Sequence, residues 1–208
     1  MTISKPKYKS EMNKCNLTIN NDLICDNVIY DSYDNSSITF KDLTFDSCQF
    51  LNIDFSNIDF KNVDLIDVTF DNCDLSNKIF DFRLIERVIF KNCKMVGISF
   101  IEASLKDVQF INCKSCYINF SNSKINKFLV DTCDFSNSTL LETQLKNALF
   151  EKTSFNYSDV VKTKLKDIDF STCDISYVNF DYESLNGIVI DRFQSSDIVR
   201  LLGVKFKE

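Results

Sequence analysis

Apolar residues recur at every fifth position along most of this chain. From Phe40 to Ile190 the 31 positions 40, 45, 50 and onward are Phe, Leu, Ile, Met or Val, with Ser115 the one exception. Sixteen of the 20 Phe stand on this grid, in a chain only 44% hydrophobic, so random placement does not account for it. A second row lies two residues before each grid position. It holds Ile, Leu, Val, Cys, Ala, Ser, Thr or Phe in 28 of 31 cases, the exceptions being Lys78, Arg83 and Glu183. A period of five fits neither the 3.6 of a helix nor the 2 of a strand. It is an internal repeat: small or branched, any, large apolar, any, any. The last place is often Asn, as at Asn52, Asn57, Asn62, Asn72, Asn77 and Asn92. Asn bonds nearby backbone and tolerates left-handed dihedrals, so it suits a corner. Two inward residues and a corner in every five describe a chain that winds around its own axis.

A longer period sets the size of one coil. Cys73, Cys93, Cys113, Cys133 and Cys173 are separated by multiples of 20, with Thr153 in the gap. Positions 65, 85, 105, 125, 145, 165 and 185 read Leu, Ile, Leu, Ile, Leu, Leu, Leu. Like stacks on like at 20 residues, which predicts four repeats per coil and a four-sided solenoid.

On these residues the chain resembles the pentapeptide-repeat family, which implies an all-β fold, a right-handed quadrilateral β-helix. The resemblance is firm from Phe40 and looser back to Cys25 (Leu23/Cys25, Val28/Tyr30). It divides the chain into an extension or cap (1–22), the β-helix (23–190) and a C-terminal tail (191–208). About eight coils at the ~4.8 Å strand spacing give a rod about 40 Å long.

The tail departs from the grid. Ser195 or Ser196 is a candidate helix cap and Gly203 a candidate stop, with Ile198, Leu201 and Leu202 on one face. Leu185-Asn-Gly-Ile-Val-Ile190 followed by Ile198-Val-Arg-Leu-Leu-Gly-Val204 is similar to the C-terminal end of the quinolone-resistance (Qnr-type) pentapeptide proteins. That resemblance implies a short α-helical module pairing two rods end to end, with Phe193, Ile198, Leu201, Leu202, Val204 and Phe206 at the contact. It also implies a homodimer that mimics DNA, binds DNA gyrase and topoisomerase IV, and protects them from fluoroquinolones.

Charge bears on that expectation. The net charge is −6, unevenly spread. Residues 1–14 hold four Lys against Glu11, whereas 15–77 hold twelve Asp against Lys41 and Lys61. Residues 78–190 balance, with 14 acidic and 14 basic groups. The acidic block spans about three coils, ~15 Å, over which B-DNA carries about nine charges. Its candidate DNA-mimicking carboxylates are Asp42, Asp46, Asp54, Asp59, Asp64, Asp67, Asp71 and Asp74. Direct nucleic-acid binding is not expected, because phosphates are repelled.

Reactive chemistry is sparse. The chain has no His and three Gly, so it offers no His-based catalytic triad, His zinc site or Gly-rich phosphate loop. Seven of nine Cys fall on inward positions, leaving Cys15 and Cys116, which suits buried thiols in a reducing cytosol. We expect no enzyme activity, cofactor, metal or membrane span. Two surface features remain. Lys78 to Arg87 breaks the small-residue rule twice and turns Ile79, Phe82 and Leu84 outward, which predicts a local bulge or a distorted face. Ile89, Leu129, Leu149 and Val189 share one outward column, a candidate apolar contact stripe. Two other readings follow: a scaffold presenting that stripe to another protein, or an immunity factor against a topoisomerase-poisoning peptide toxin.

Overall fold

The computed structural model describes residues 2–9, 11–17, 24–33 and 36–205. It is a parallel β-solenoid of about eight turns with a short C-terminal helix, as the repeat predicts. The strands are β1 (Asn13–Asn16), β2 (Ile24–Asp26), β3 (Val28–Ser32), β4 (Ile38–Asp46), β5 (Gln49–Leu51), β6 (Ile58–Asp71), β7 (Leu84–Lys91), β8 (Ser104–Ile111), β9 (Lys124–Asp131), β10 (Gln144–Glu151), β11 (Asp159–Val160) and β12 (Asn179–Phe180). Strand β1 already pairs in parallel with β3, so laddering begins within the segment read as an extension.

The β1–β3 pair is offset by 15 residues and shifts at Asn16, but from β2 onward register is held at 20 residues. Leu65 pairs with Ile85, Ile85 with Leu105, Leu105 with Ile125, and Ile125 with Leu145. Two adjacent sides of the square carry these continuous ladders. The other two are turns joined by single bridges, such as Ile79 to Ser99 and Ser99 to Asn119. Both kinds of side close at the fifth residue of the repeat, where the backbone is left-handed in most repeats, as at Asn52 (φ 59°), Asn72 (φ 55°) and Asn92 (φ 53°), but not at Asn57. Asn side chains bond along these corners: Asn72 donates to Asn52 and Asn112 to Asn92, each at 2.8 Å.

The core is one column of rings and branched chains. Phe50, Phe70 and Phe90 stack at 4.8 and 5.2 Å on one side, Phe80, Phe100 and Phe120 at 5.6 and 5.5 Å on another. The small inward residues contribute hydrogen bonds as well as volume. The thiols of Cys73, Cys93 and Cys113 donate to the carbonyls of Phe50, Phe70 and Phe90 in the preceding coil. Thr143, Ser158 and Thr163 do the same with Phe120, Phe135 and Leu140. A small donor therefore suits the position as well as a small hydrocarbon, because each coil leaves a buried carbonyl there to satisfy.

Four local expectations meet the structure differently. No bulge forms at 78–87: Ile79, Phe82 and Leu84 face solvent, yet Leu84 pairs with Ser104 in unbroken register. Glu183 is not inward, because residues 182–185 form a helical turn, α1 (Tyr182–Leu185), capped by Asp181, whose side chain accepts from Ser184 N. The turn advances the chain by one residue, so Ser184 takes the inward place and bonds Thr163 N at 3.0 Å. The tail helix α2 (Ser195–Leu201) is entered through a 3₁₀ turn at Arg192–Gln194 whose cap is Asp191 rather than Ser195 or Ser196. Gly203 does close it, at φ 76°. Finally, Ser115 is fully buried and its hydroxyl has no partner among the described residues. Phe128, one coil on from Val108, stands where a smaller residue is usual and packs edge-on against Phe110 and Phe120, which flank Ser115 on the grid.

Candidate functional site

Each of the eight proposed carboxylates sits where a 20-residue ladder fixes it. Asp42, Asp54 and Asp59 are exposed, and Asp46, Asp64, Asp71 and Asp74 are half-buried. Their partners separate them. Asp71 faces Lys91 (3.3 Å) and Asp74 faces Lys94 (2.8 Å), so the C-terminal edge of the block is partly neutralised. Asp42 lies 3.7 Å from Lys41. Among the described residues, Asp46, Asp54, Asp59 and Asp64 have no cationic partner. Asp54 stands directly against Asp74 in the ladder and Asp26 against Asp46. Like charges opposed in register destabilise a sheet.

Asp67 does not belong to this surface. It is buried, and the Arg87 guanidinium grips it with two parallel bonds of 2.7 and 2.8 Å. Burial alone would raise its carboxyl, but the bonds from Arg87 and from the Lys7 N–H outweigh that and hold it below the usual carboxylate range.

What buries it is the segment 2–9, which lies along one corner of the rod. Lys7 N donates to Asp67 at 2.8 Å, and Ser4 N to Asp107 at 2.7 Å. Ser47 Oγ donates to the Lys7 carbonyl at 3.1 Å, and the Tyr8 hydroxyl meets Thr69 Oγ1 at 2.5 Å. Lys9 pairs with Asp26. Burial pushes the Tyr8 phenol up to about 12. Sequence reasoning missed this contact. The signals present were a basic segment of four Lys beside a block of twelve Asp, and Pro6 within it.

The apolar stripe is one column, since Ile89, Gln109, Leu129 and Leu149 pair in sequence across β7 to β10 and Val189 bridges Asp169. It is not continuous. Gln109 is buried and interrupts it, Ile89 and Leu129 are half-buried, and only Leu149 and Val189 are open. Ile89 lies in the coil that the 2–9 segment must cross between Asp107 and Asp67.

At the other end, Gln194 Nε2 donates to the carbonyls of Phe170 (3.0 Å) and Cys173 (2.7 Å), which seats the tail on the last coils. Arg200 lies over the Tyr177 ring at 4.9 Å, and Tyr177 stacks on Tyr157 at 4.9 Å. Ile198 packs against the core. Phe193 (81% exposed) and Leu202 (73% exposed) are bare, with Leu201 and Val204 beside them. Phe206 lies outside the described residues. Among the described residues, no helix is long and apolar enough to cross a membrane.

Comparison with known proteins agrees with this geometry. Residues 63–132 match the pentapeptide repeat region, and residues 40–77 and 131–167 match pentapeptide repeats (8 copies). No curated protein matches the sequence. Among solved structures the chain is similar to HetL, a pentapeptide repeat protein involved in heterocyst differentiation regulation from the cyanobacterium Nostoc sp. strain PCC 7120. The identity is 11%, the TM-score 0.61, and the match covers 80% of this chain and 86% of that one. It also matches the plasmid-mediated fluoroquinolone resistance protein QnrB1, at 15% identity and TM-score 0.34, over 85% of this chain and 100% of that one. With the five-residue grid, the 20-residue register and family matches that together run from 40 to 167, the chain belongs to the pentapeptide-repeat family.

Proposed function

We propose that this protein is a non-catalytic DNA mimic that binds DNA gyrase or topoisomerase IV and lessens fluoroquinolone action. The observation that carries the reading is the set of fixed, exposed or half-buried carboxylates Asp46, Asp54, Asp59 and Asp64, which have no cationic partner among the described residues, in a block of twelve Asp against two Lys. Stacking Asp54 on Asp74 works against stability. A surface selected only for solubility does not require that arrangement. A rigid ladder holds such charges at ~4.8 Å steps, so a basic DNA channel meets them without an ordering cost in the rod. The bare Phe193, Leu201, Leu202 and Val204 support a second element, pairing of two rods through their C-terminal tails.

The test is gyrase supercoiling in the presence of a fluoroquinolone, with the protein titrated in. Restored supercoiling at micromolar protein or below supports the reading. Asp54→Asn combined with Asp59→Asn should weaken rescue, and rising salt should weaken binding. No rescue, together with no effect on drug-free gyrase, discards it.

A further inference from the structure

We infer that the corner of the rod from Asn27 to Asp107 is a docking groove for an extended peptide, and that residues 3–9 are its displaceable occupant. The inference does not depend on any topoisomerase.

The geometry of the two partners matches. Corner residues follow one another every 20 positions: Asn27, Ser47, Asp67, Arg87 and Asp107. Residue 4 is bonded at the coil of Asp107, residue 7 at those of Asp67 and Ser47, residue 9 at Asp26, and the Glu11 carbonyl accepts from Asn27. The segment therefore runs against the direction of coil growth. From Asp107 to Asn27 is four coils, about 19 Å. A separation of seven residues, that of Ser4 and Glu11, can reach about 23 Å. The two donors agree more closely still. Asp67 and Asp107 are two coils apart, ~9.6 Å. Ser4 N and Lys7 N are three residues apart, ~9.3 Å at a polyproline-like rise. Pro6 lies between them, fixing its own φ and driving Lys5 into extended backbone.

The groove is also built for a main chain rather than for loose counter-ions. Asp107 is 3% exposed and Asp67 6%, whereas the residues at equivalent left-handed corners, such as Asn72, Asn92 and Asn112, are exposed. Each of these two carboxylates accepts a backbone N–H from the segment. Ser4, Pro6 and Tyr8 are half-buried, while Lys5, Lys7 and Lys9 are exposed. Most of the basic side chains therefore do not make the contact; the backbone and Tyr8 do. Lys127 lies 3.8 Å from Asp107 and Arg87 holds Asp67, so the carboxylates keep partial partners if the peptide leaves. That lowers the cost of undocking and makes the occupant exchangeable. The preferred ligand is thus an extended segment with N–H donors three residues apart, a Pro between them and a Tyr one residue after the second.

A full-length chain carrying Pro6→Gly and Tyr8→Ala leaves the rod intact and empties the groove. A fluorescein-labelled peptide of residues 2–9 should bind that variant in fluorescence anisotropy, and bind the unaltered chain at least about tenfold more weakly, because a tethered competitor acts at roughly millimolar effective concentration. Adding Asp107→Gly, which tolerates the left-handed corner, should weaken peptide binding by about tenfold, the loss of one charge-assisted bond. In the unaltered chain the Ser4 and Lys7 amides should exchange with deuterium at least tenfold more slowly than in the free peptide. Failure of millimolar peptide to bind the folded variant, equal binding to both chains, or equal binding of a scrambled peptide overturns the inference.

Discussion

At the scale of single residues, the corners are where this chain carries strain. Most repeats, though not those ending at Asn57 and Thr172, turn through a left-handed residue, which costs roughly 1–2 kcal/mol for an ordinary side chain and little for Asn or Gly. Thr132 stands at φ 55° although β-branched, in a corner line that reads Asn52, Asn72, Asn92 and Asn112 before it and Lys152 after it. Thr132→Asn removes that strain and can extend the amide ladder. We expect a gain of about 1 kcal/mol, read as a rise of about 2–4 °C in Tm by calorimetry. An unchanged or lower Tm would show that the Thr132 bond to Asp131 is worth as much as the strain. The thiols make a second residue-level case. Burial pushes Cys48 up to about 12, while hydrogen bonding to the next thiol does the same for Cys93 and Cys113. Thiolate is the reactive form. Alkylation of the native protein at pH 8, followed by mass spectrometry, should label Cys15 and Cys116 first and the seven buried Cys only after denaturation.

At the scale of the element, a coil is stable through its neighbours. Phe110 contacts the rings of Phe90, Phe100, Phe120, Phe128 and Phe135. Phe110→Ala should cost about 3–5 kcal/mol in urea unfolding. A cost below about 1 kcal/mol would mean that the stack relaxes around the void. Between coils, the Asp67–Arg87 pair links β6 to β7 and carries the pH dependence of that corner. The folded carboxyl lies below its unfolded value near 3.9, so its stabilisation is complete above that value and is lost as pH falls through the lower, folded one. The chain has no His, so Tm should be flat from pH 6 to 8 and drop below about pH 4. Asp67→Asn should flatten the acid limb; an unchanged limb would move its origin to the other depressed carboxyls, Asp74, Asp169, Asp174 and Asp181.

At the scale of the whole molecule, the rod is polarised. The acidic block lies toward one end, a seated segment with outward lysines lies along one of its corners, and bare apolar side chains lie at the other end. If two copies pair through those apolar tails, the acidic blocks fall at the outer tips. Replacing Phe193 and Leu202 with Asp should then convert a dimer into a monomer by light scattering, with the β signal in circular dichroism unchanged. A wild-type protein that is monomeric at tens of micromolar would remove that pairing from the proposal.

The repeat, the coil length, the inward rows and the left-handed corners were legible in the sequence, because each coil meets only its neighbours at a fixed offset of 20 residues. One offset then determines all the contacts of the core, and Phe50, Phe70 and Phe90 can be stacked on paper before they are seen stacked. The local departures were not legible, because they depend on exact register: Glu183 reads as a core violation until the turn of α1 turns Ser184 inward instead. Least legible was the corner where Ser4 and Lys7 meet Asp107 and Asp67. Those contacts span 103 and 60 positions, and Ser4 and Lys7 belong to a segment that does not carry the repeat. Periodicity fixes contacts between equivalent repeats; a contact between a non-repeating segment and one corner of the rod exists only once the coils have stacked and brought carboxylates 40 residues apart to within about 10 Å of each other.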